Sequence, residues 1–308
     1  MMKPRVGRWR TVLPLLFAGV CFGGRGDGFV PPPRDIGLVL SGGGAKGSYE
    51  IGVWQAICEA DLDKRIGAIS GTSVGSLCAV LFSSVGNPKR CESIWVDAIS
   101  NAFNVNTGSI LAMTLGDSKG IAKYLNDNGL MSKESLRHVI DAHLTTWPPQ
   151  RTVHVYATAT AVNTRERRSF QLDTLSKTNM IERVIASAAV PIAYSPQQIN
   201  GERHLDGYLS DNQPVAPIIE ADSKNAINTI IVVYLSHVPE KRITQDDVGQ
   251  RRLVEIIPTE TIDLNIKKIN FAVIDTRPET VRRLIDLGRK DAEKVLKREG
   301  LWPKMNHQ

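Results

Sequence analysis

Hydrophobic positions along this chain follow two alternating periods. Short runs such as Ile36-Gly-Leu-Val-Leu40 and residues 66–69 are apolar almost throughout, the pattern of strands buried on both faces. Between and after them apolar positions recur at helical spacing, through Val53, Trp54, Ala56 and Ile57 and again from Val74 to Phe82. Further helical patterns lie around residues 92–99, 121–124 and 133–143, the last preceded by Ser132, which suits an N-cap. Alternating apolar side chains over 153–161 predict a strand that 169–172 can pair with, and a helix follows over 180–189, ending at Pro191. Asn200-Gly201 marks a turn, residues 229–235 a strongly buried strand, and residues 279–297 a final helix with long charged faces. Strands that alternate with helices imply an α/β fold: a mostly parallel central sheet sandwiched between helices, in three layers. No repeat and no second hydrophobic centre interrupts it.

The ends of the chain have a different character. Residues 1–24 open with Lys3, Arg5, Arg8 and Arg10, then carry an apolar run over 11–22 that is too short to span a bilayer. That pattern suits a secretory signal, which implies a secreted, periplasmic or membrane-associated protein, or else a disordered leader, which implies a cytoplasmic one. Residues 25–33, with three consecutive prolines, read as a stiff linker, residues 34–300 as a single domain, and residues 301–308 as a tail. Inside the domain, residues 103–130 mix Phe103, Ile110, Leu111, Met113 and Leu115 with glycines, as either a lid over an apolar site or a plain surface insertion would.

With 308 residues, 42% of them hydrophobic, the chain can bury a substantial core. Its formal charge of +6 suits a plain solvated surface or contact with an anionic one. The basic residues are scattered and not interleaved with aromatics, which argues against a nucleic-acid partner. Cys21, Cys58, Cys78 and Cys91 have neither zinc-ligand spacing nor clustered histidines, so no metal site and no disulfide framework follows.

Gly71-Thr72-Ser73-Val74-Gly75 matches G-x-S-x-G between a predicted strand and a predicted helix, the setting of a nucleophile elbow. Gly71 and Gly75 keep side chains out of a tight turn, and Ser73 stands at a helix N-terminus that favours developing negative charge. Upstream, Gly42-Gly43-Gly44-Ala45-Lys46-Gly47 also matches G-x-G-x-x-G. A dinucleotide site would need an acidic residue at the tip of the second strand, whereas Asp61 and Asp63 precede that strand. A dinucleotide- or phosphate-binding protein that uses residues 42–47 as its cradle stands as the alternative to a loop of bare N–H groups that stabilises an oxyanion. Lys46 would face solvent or an anionic head group. A serine nucleophile needs a base, and the chain order of α/β-hydrolases would select Asp206 with His237 or His307.

Four segments taken together resemble the patatin-like phospholipases: the glycine loop at 42–47, the elbow at 71–75, Ala186-Ser-Ala-Ala-Val-Pro191, and His204-Leu-Asp-Gly207 followed by Asn212 and Pro214. The resemblance implies a Ser–Asp dyad without histidine, in which Ser73 is the nucleophile and Asp206 the general base. It also implies an oxyanion hole from Gly42, Gly43 and Gly44, with Gly207 completing the aspartate motif. The implied activity is hydrolysis of fatty-acyl esters in lipids or phospholipids at a transiently contacted membrane surface, with no metal or other cofactor in the chemical step. A catalytically silent lipid-binding relative is the remaining alternative. Tyr208 departs from the usual Asp-Gly-Gly or Asp-Gly-Ala, which implies a reshaped pocket.

Overall fold

The centre of the sheet goes to a strand with no polar side chain. β1 (Ile36–Leu40) is buried at every residue and lies between two parallel neighbours, β2 (Ile66–Thr72) and β7 (Thr229–Val233). The computed structural model describes residues 32–102, 128–144, 146–149, 153–261, 265–266, 269–270 and 275–303. The leader, most of the linker, nearly all of segment 103–130 and the helix expected at 121–124 fall outside them.

Beyond β2 lies β3 (His154–Ala161), and beyond β7 lies β8 (Arg252–Ile256), both parallel to their neighbours. The parallel order is thus β3-β2-β1-β7-β8. Three antiparallel strands complete the sheet at the β3 end: β4 (Arg167–Gln171) and β6 (Glu202–Asp206) pair with β3, and β5 (Gln197–Ile199) pairs with β6. The β5–β6 turn is Asn200-Gly201, with φ 50° and 84°, the double left-handed geometry that favours this dipeptide.

Alternate side chains leave the sheet on opposite faces. Leu38, Leu40, Ile231 and Val233 join one core with α1 (Ser48–Glu59), α2 (Val74–Ser84), α3 (Pro88–Ala102), α4 (Lys133–His143) and α5 (Lys177–Ser187). Val39, Ile230 and Val232 join another with Ile218 of α6 (Ala216–Ala221) and Val248 of α7 (Gln245–Val248). The two cores are the two faces of one sheet, as a three-layer sandwich requires. At α4, Ser132 occupies the N-cap position with extended backbone, but its side chain makes no capping hydrogen bond.

The last helix, α8 (Pro278–Arg298), closes the first core by crossing α1 at two glycines. A Cβ at Gly52 would meet the backbone of Ile285 and Arg289, and one at Gly288 would meet the Tyr49 carbonyl. Beside this crossing, buried Asp291 accepts from Tyr49 Oη (3.1 Å), Thr259 N (2.9 Å) and Thr259 Oγ1 (2.6 Å). Because α1 starts where the glycine loop ends, α8 backs the loop from behind. Gly52→Ala forces two rigid backbones apart and is expected to cost about 3 kcal/mol, read as a lower urea midpoint at constant slope. An unchanged midpoint would show that the two helices have room to separate.

Candidate active site

Parallel pairing sets Leu40 beside Gly71, so the loop after β1 and the turn after β2 emerge together on one sheet edge. Ser73 sits in that turn with φ 55° and ψ −124°, a left-handed conformation rare for a residue with a side chain. The glycine expectation holds sterically. A Cβ on Gly71 would strike the backbone of Gly75, and one on Gly75 would lie 2.5 Å from the Leu40 carbonyl oxygen. The turn is pinned from a third element. Ser73 N donates to Ser187 Oγ (2.9 Å), and Ser187 Oγ donates to the Thr158 carbonyl (2.6 Å). Ser187 belongs to the segment 186–191 that the sequence singled out, but the long-range partner that gives it a task cannot be read from spacing.

Asp206 reaches this turn through strand geometry. Ala159 and Thr160 of β3 pair with β4 on one edge and with Asp206 and Leu205 of β6 on the other. Residues 156–158 pair with that same β4 edge and, opposite it, with β2, which ends at Thr72 beside Thr158. β6 therefore occupies the edge of β3 that β2 vacates, and it runs towards the end of β2. Asp206 is the last residue of β6, and the antiparallel ladder carries it to Ser73. Gly207 makes the approach possible, because a Cβ there would collide with the Thr158 carbonyl.

Asp206 is only 1% exposed. Its Oδ1 accepts from Tyr208 N (2.8 Å), and its main chain is held by Ala189 O (2.9 Å) and Thr160 Oγ1 (2.9 Å). Oδ2 has no hydrogen-bond partner of good geometry among the described residues. Burial pushes the carboxyl up to about 6, opposed by the Ser73 hydroxyl lying against it and by the Tyr208 amide.

The glycine loop passes directly over Ser73: a Cβ on Gly42 would stand 3.0 Å from the Ser73 Cβ. Gly42 N donates to Asn212 Oδ1 (2.7 Å), so its amide is committed to holding the loop. Among the described residues no hydrogen bond takes the N–H of Gly43 or Gly44. Thr72 Oγ1 donates to Asp211 O (2.7 Å) and Gln213 Nε2 to Ser41 Oγ (3.1 Å), which ties the segment after Asp206 to both other motifs. Lys46 is buried and lines the cavity, away from open solvent. Asp61 and Asp63 precede β2 and stand at the opposite edge of the sheet from the glycine loop.

Ser73, Asp206, Asn212 and the three loop glycines line one cavity of about 930 Å³. Much of its remaining wall is apolar, from Leu77 and Leu81 of α2, Ile94 and Trp95 of α3, and Leu136 and Ile140 of α4. Tyr208 stands half-exposed on its lining, its hydroxyl donating to Glu240 (3.1 Å). His237 Nδ1 lies 2.7 Å from Pro258 O, and His143, on the cavity wall, pairs with Asp97. No hydrogen bond joins a histidine to Ser73 or Asp206 among the described residues; His307 is outside them. Nor is any described helix long and apolar enough to cross a membrane.

Against known proteins, the chain is 27% identical over 208 residues to Lysophospholipase NTE1 of Cryptococcus neoformans var. neoformans serotype D (strain JEC21). That match takes in 67% of this chain but spans only 12% of the curated relative's length. Among solved structures, VipD from Legionella pneumophila aligns with 86% of this chain and 67% of its own, at 15% identity and a TM-score of 0.44. ExoU of Pseudomonas aeruginosa, solved with SpcU, aligns with 86% of this chain and 53% of its own, at 16% identity and a TM-score of 0.43. The family model described as patatin-like phospholipase matches residues 38–219, from β1 through the glycine loop, the elbow and Asp206 to α6. That stretch is more than half of the chain, and the chain belongs to the patatin-like phospholipase family.

Proposed function

We propose that the protein is a lipid acyl hydrolase of phospholipase A, lysophospholipase or esterase type, working through Ser73 and Asp206. One observation carries the reading: a strained elbow serine and a buried, partly unsatisfied carboxylate meet on the wall of a largely apolar cavity. Family membership supports it.

In the first step Ser73 Oγ attacks the ester carbonyl carbon while its proton passes to Asp206. The oxyanion that forms is held by the N–H groups of Gly43 and Gly44, with the Gly42 amide fixing the loop through Asn212. As the carbon–oxygen bond to the alcohol breaks, Asp206 returns the proton to that leaving oxygen. A water then gives a proton to Asp206 and attacks the acyl carbonyl carbon; as the bond to Ser73 Oγ breaks and the fatty acid leaves, Asp206 returns that proton to Ser73 Oγ. The apolar wall formed by α2, α3 and α4 accommodates the acyl chain. Fluorophosphonate labelling followed by peptide mapping tests the nucleophile. Label is expected on Ser73 and absent from Ser73→Ala; a folded protein that takes no label on Ser73 sinks the proposal.

The raised carboxyl predicts two opposed pH effects. Asp206 must be ionised to accept the serine proton, so kcat/KM on a soluble ester rises with pH through about 6. For stability the sign reverses. The folded state holds its proton more tightly than the unfolded chain, so stability declines as pH climbs from about 4 to 6 and stays lower above. A shift of two units corresponds to about 3 kcal/mol. Asp206→Asn, whose Oδ1 can keep the Tyr208 amide, is expected to abolish turnover, raise Tm at pH 8 and flatten this dependence. A variant with unchanged Tm at both ends of the range would contradict the burial argument.

Ser187→Ala removes the acceptor for the strained Ser73 amide. About tenfold loss in kcat with KM unchanged is expected, the worth of one buried hydrogen bond. A change confined to KM would place Ser187 outside the alignment of the nucleophile.

A further inference from the structure

Six large hydrophobic side chains are exposed among the described residues: Val96, Val190, Ile192, Tyr208, Leu209 and Val238. Single exposed apolar groups need no explanation, but a cluster around one opening does. Val190, Tyr208, Leu209 and Val238 line the cavity that holds Ser73, and Ile192 stands between Pro191 and Ala193, which line it too.

Ile192 is the most unusual of these. It is β-branched, 64% exposed and held at φ 71°, a conformation that suits glycine or asparagine. Backbone hydrogen bonds fix it there: Leu130 N donates to Ile192 O (2.8 Å), Met131 N to Ala193 O (2.7 Å) and Tyr194 N to Val190 O (2.8 Å). Folding would be easier and the surface more soluble with a small polar residue at this turn. Strain combined with apolar exposure at the edge of a site points to a role outside the folded chain.

We infer that this rim docks on the surface of a phospholipid layer, with Ile192 as the inserted knob; the inference rests on the acyl-hydrolase reading. Continuity with the opening selects the occupant. A protein seated on the rim would close the substrate's way in, whereas a layer that itself contains the ester covers the rim and delivers the substrate through it. The rim carries both Glu240 and Lys241, so the attachment is apolar in character and does not depend on a one-signed field.

The test is co-sedimentation of the protein with phosphatidylcholine vesicles at low and high salt, alongside fluorophosphonate labelling of Ser73. Ile192→Asn is expected to lower vesicle binding about tenfold while Tm holds or rises, since asparagine relieves the backbone strain. Ile192→Leu keeps binding near the wild-type level, and both variants keep the labelling rate of the wild type. Unchanged binding in Ile192→Asn overturns the proposal, as does binding that disappears at high salt. So does gel filtration in which Ile192→Asn turns a dimer into a monomer, since the rim would then be a self-association face. If wild-type Ser73 takes no label while Ile192→Asn still releases the vesicles, the hydrolase reading fails and the docking surface stands.

Discussion

The whole site depends on two strands sharing one edge of a third. β2 uses the edge of β3 as far as Thr158, and β6 uses the rest from Ala159, so their ends confront each other. Without that division Ser73 and Asp206, 133 positions apart in the chain, would have no reason to meet. The meeting also explains why the flanking residues are so small. Gly71, Gly75 and Gly207 each lie where a Cβ would strike a neighbouring backbone, so the same three positions set the packing of β1, β2 and β3 and the spacing of Ser73 and Asp206. Packing and chemistry are one constraint here, and a substitution at these glycines cannot relax one without the other.

Electrostatics follows from the same geometry. A carboxylate at the end of an interior strand is stripped of water, and its proton affinity rises because little replaces the lost hydration. Only one of its oxygens is well satisfied, by the Tyr208 amide. A second backbone donor would have lowered its pKa. The strain at Ser73 has a matching support, since its amide hydrogen bond to Ser187 spans three elements. Stability is thus given up at Ser73 and Asp206, and large apolar cores on both sheet faces offset it.

Much of this was legible in the sequence because the relevant signals are local. The elbow glycines, the fully apolar β1 and the Asn200-Gly201 hairpin each encode their geometry within a few residues. What stayed hidden requires partners far away in the chain. The strand that carries Asp206 was not legible, because β6 has only five residues with polar Glu202 and Arg203 in it, too short for alternation to declare a strand. The commitment of the Gly42 amide to Asn212 spans 170 residues, and no spacing rule reports it. β8 was missed for a related reason: it is an edge strand whose charged Arg252 and Glu255 break the apolar run. The α1–α8 crossing hides behind two isolated glycines that local pattern treats only as weak points in a helix.

These hidden features bear on where the structural unit around the glycine loop ends. The family match stops at residue 219, yet β1 takes its second parallel partner, β7, from beyond that point. Ser41 at the head of the glycine loop donates to Val233 O (2.6 Å), and Gly43 packs against Leu235. Behind the loop, α8 seals α1, and Asp291 joins Tyr49 to Thr259. A segment limited to the matched residues would leave one edge of the central strand bare and the loop without its support. Ser73 and Asp206 both precede residue 219, and described residues after it hold the glycine loop where it lies over Ser73, so the structural unit that supports the loop runs on through α8.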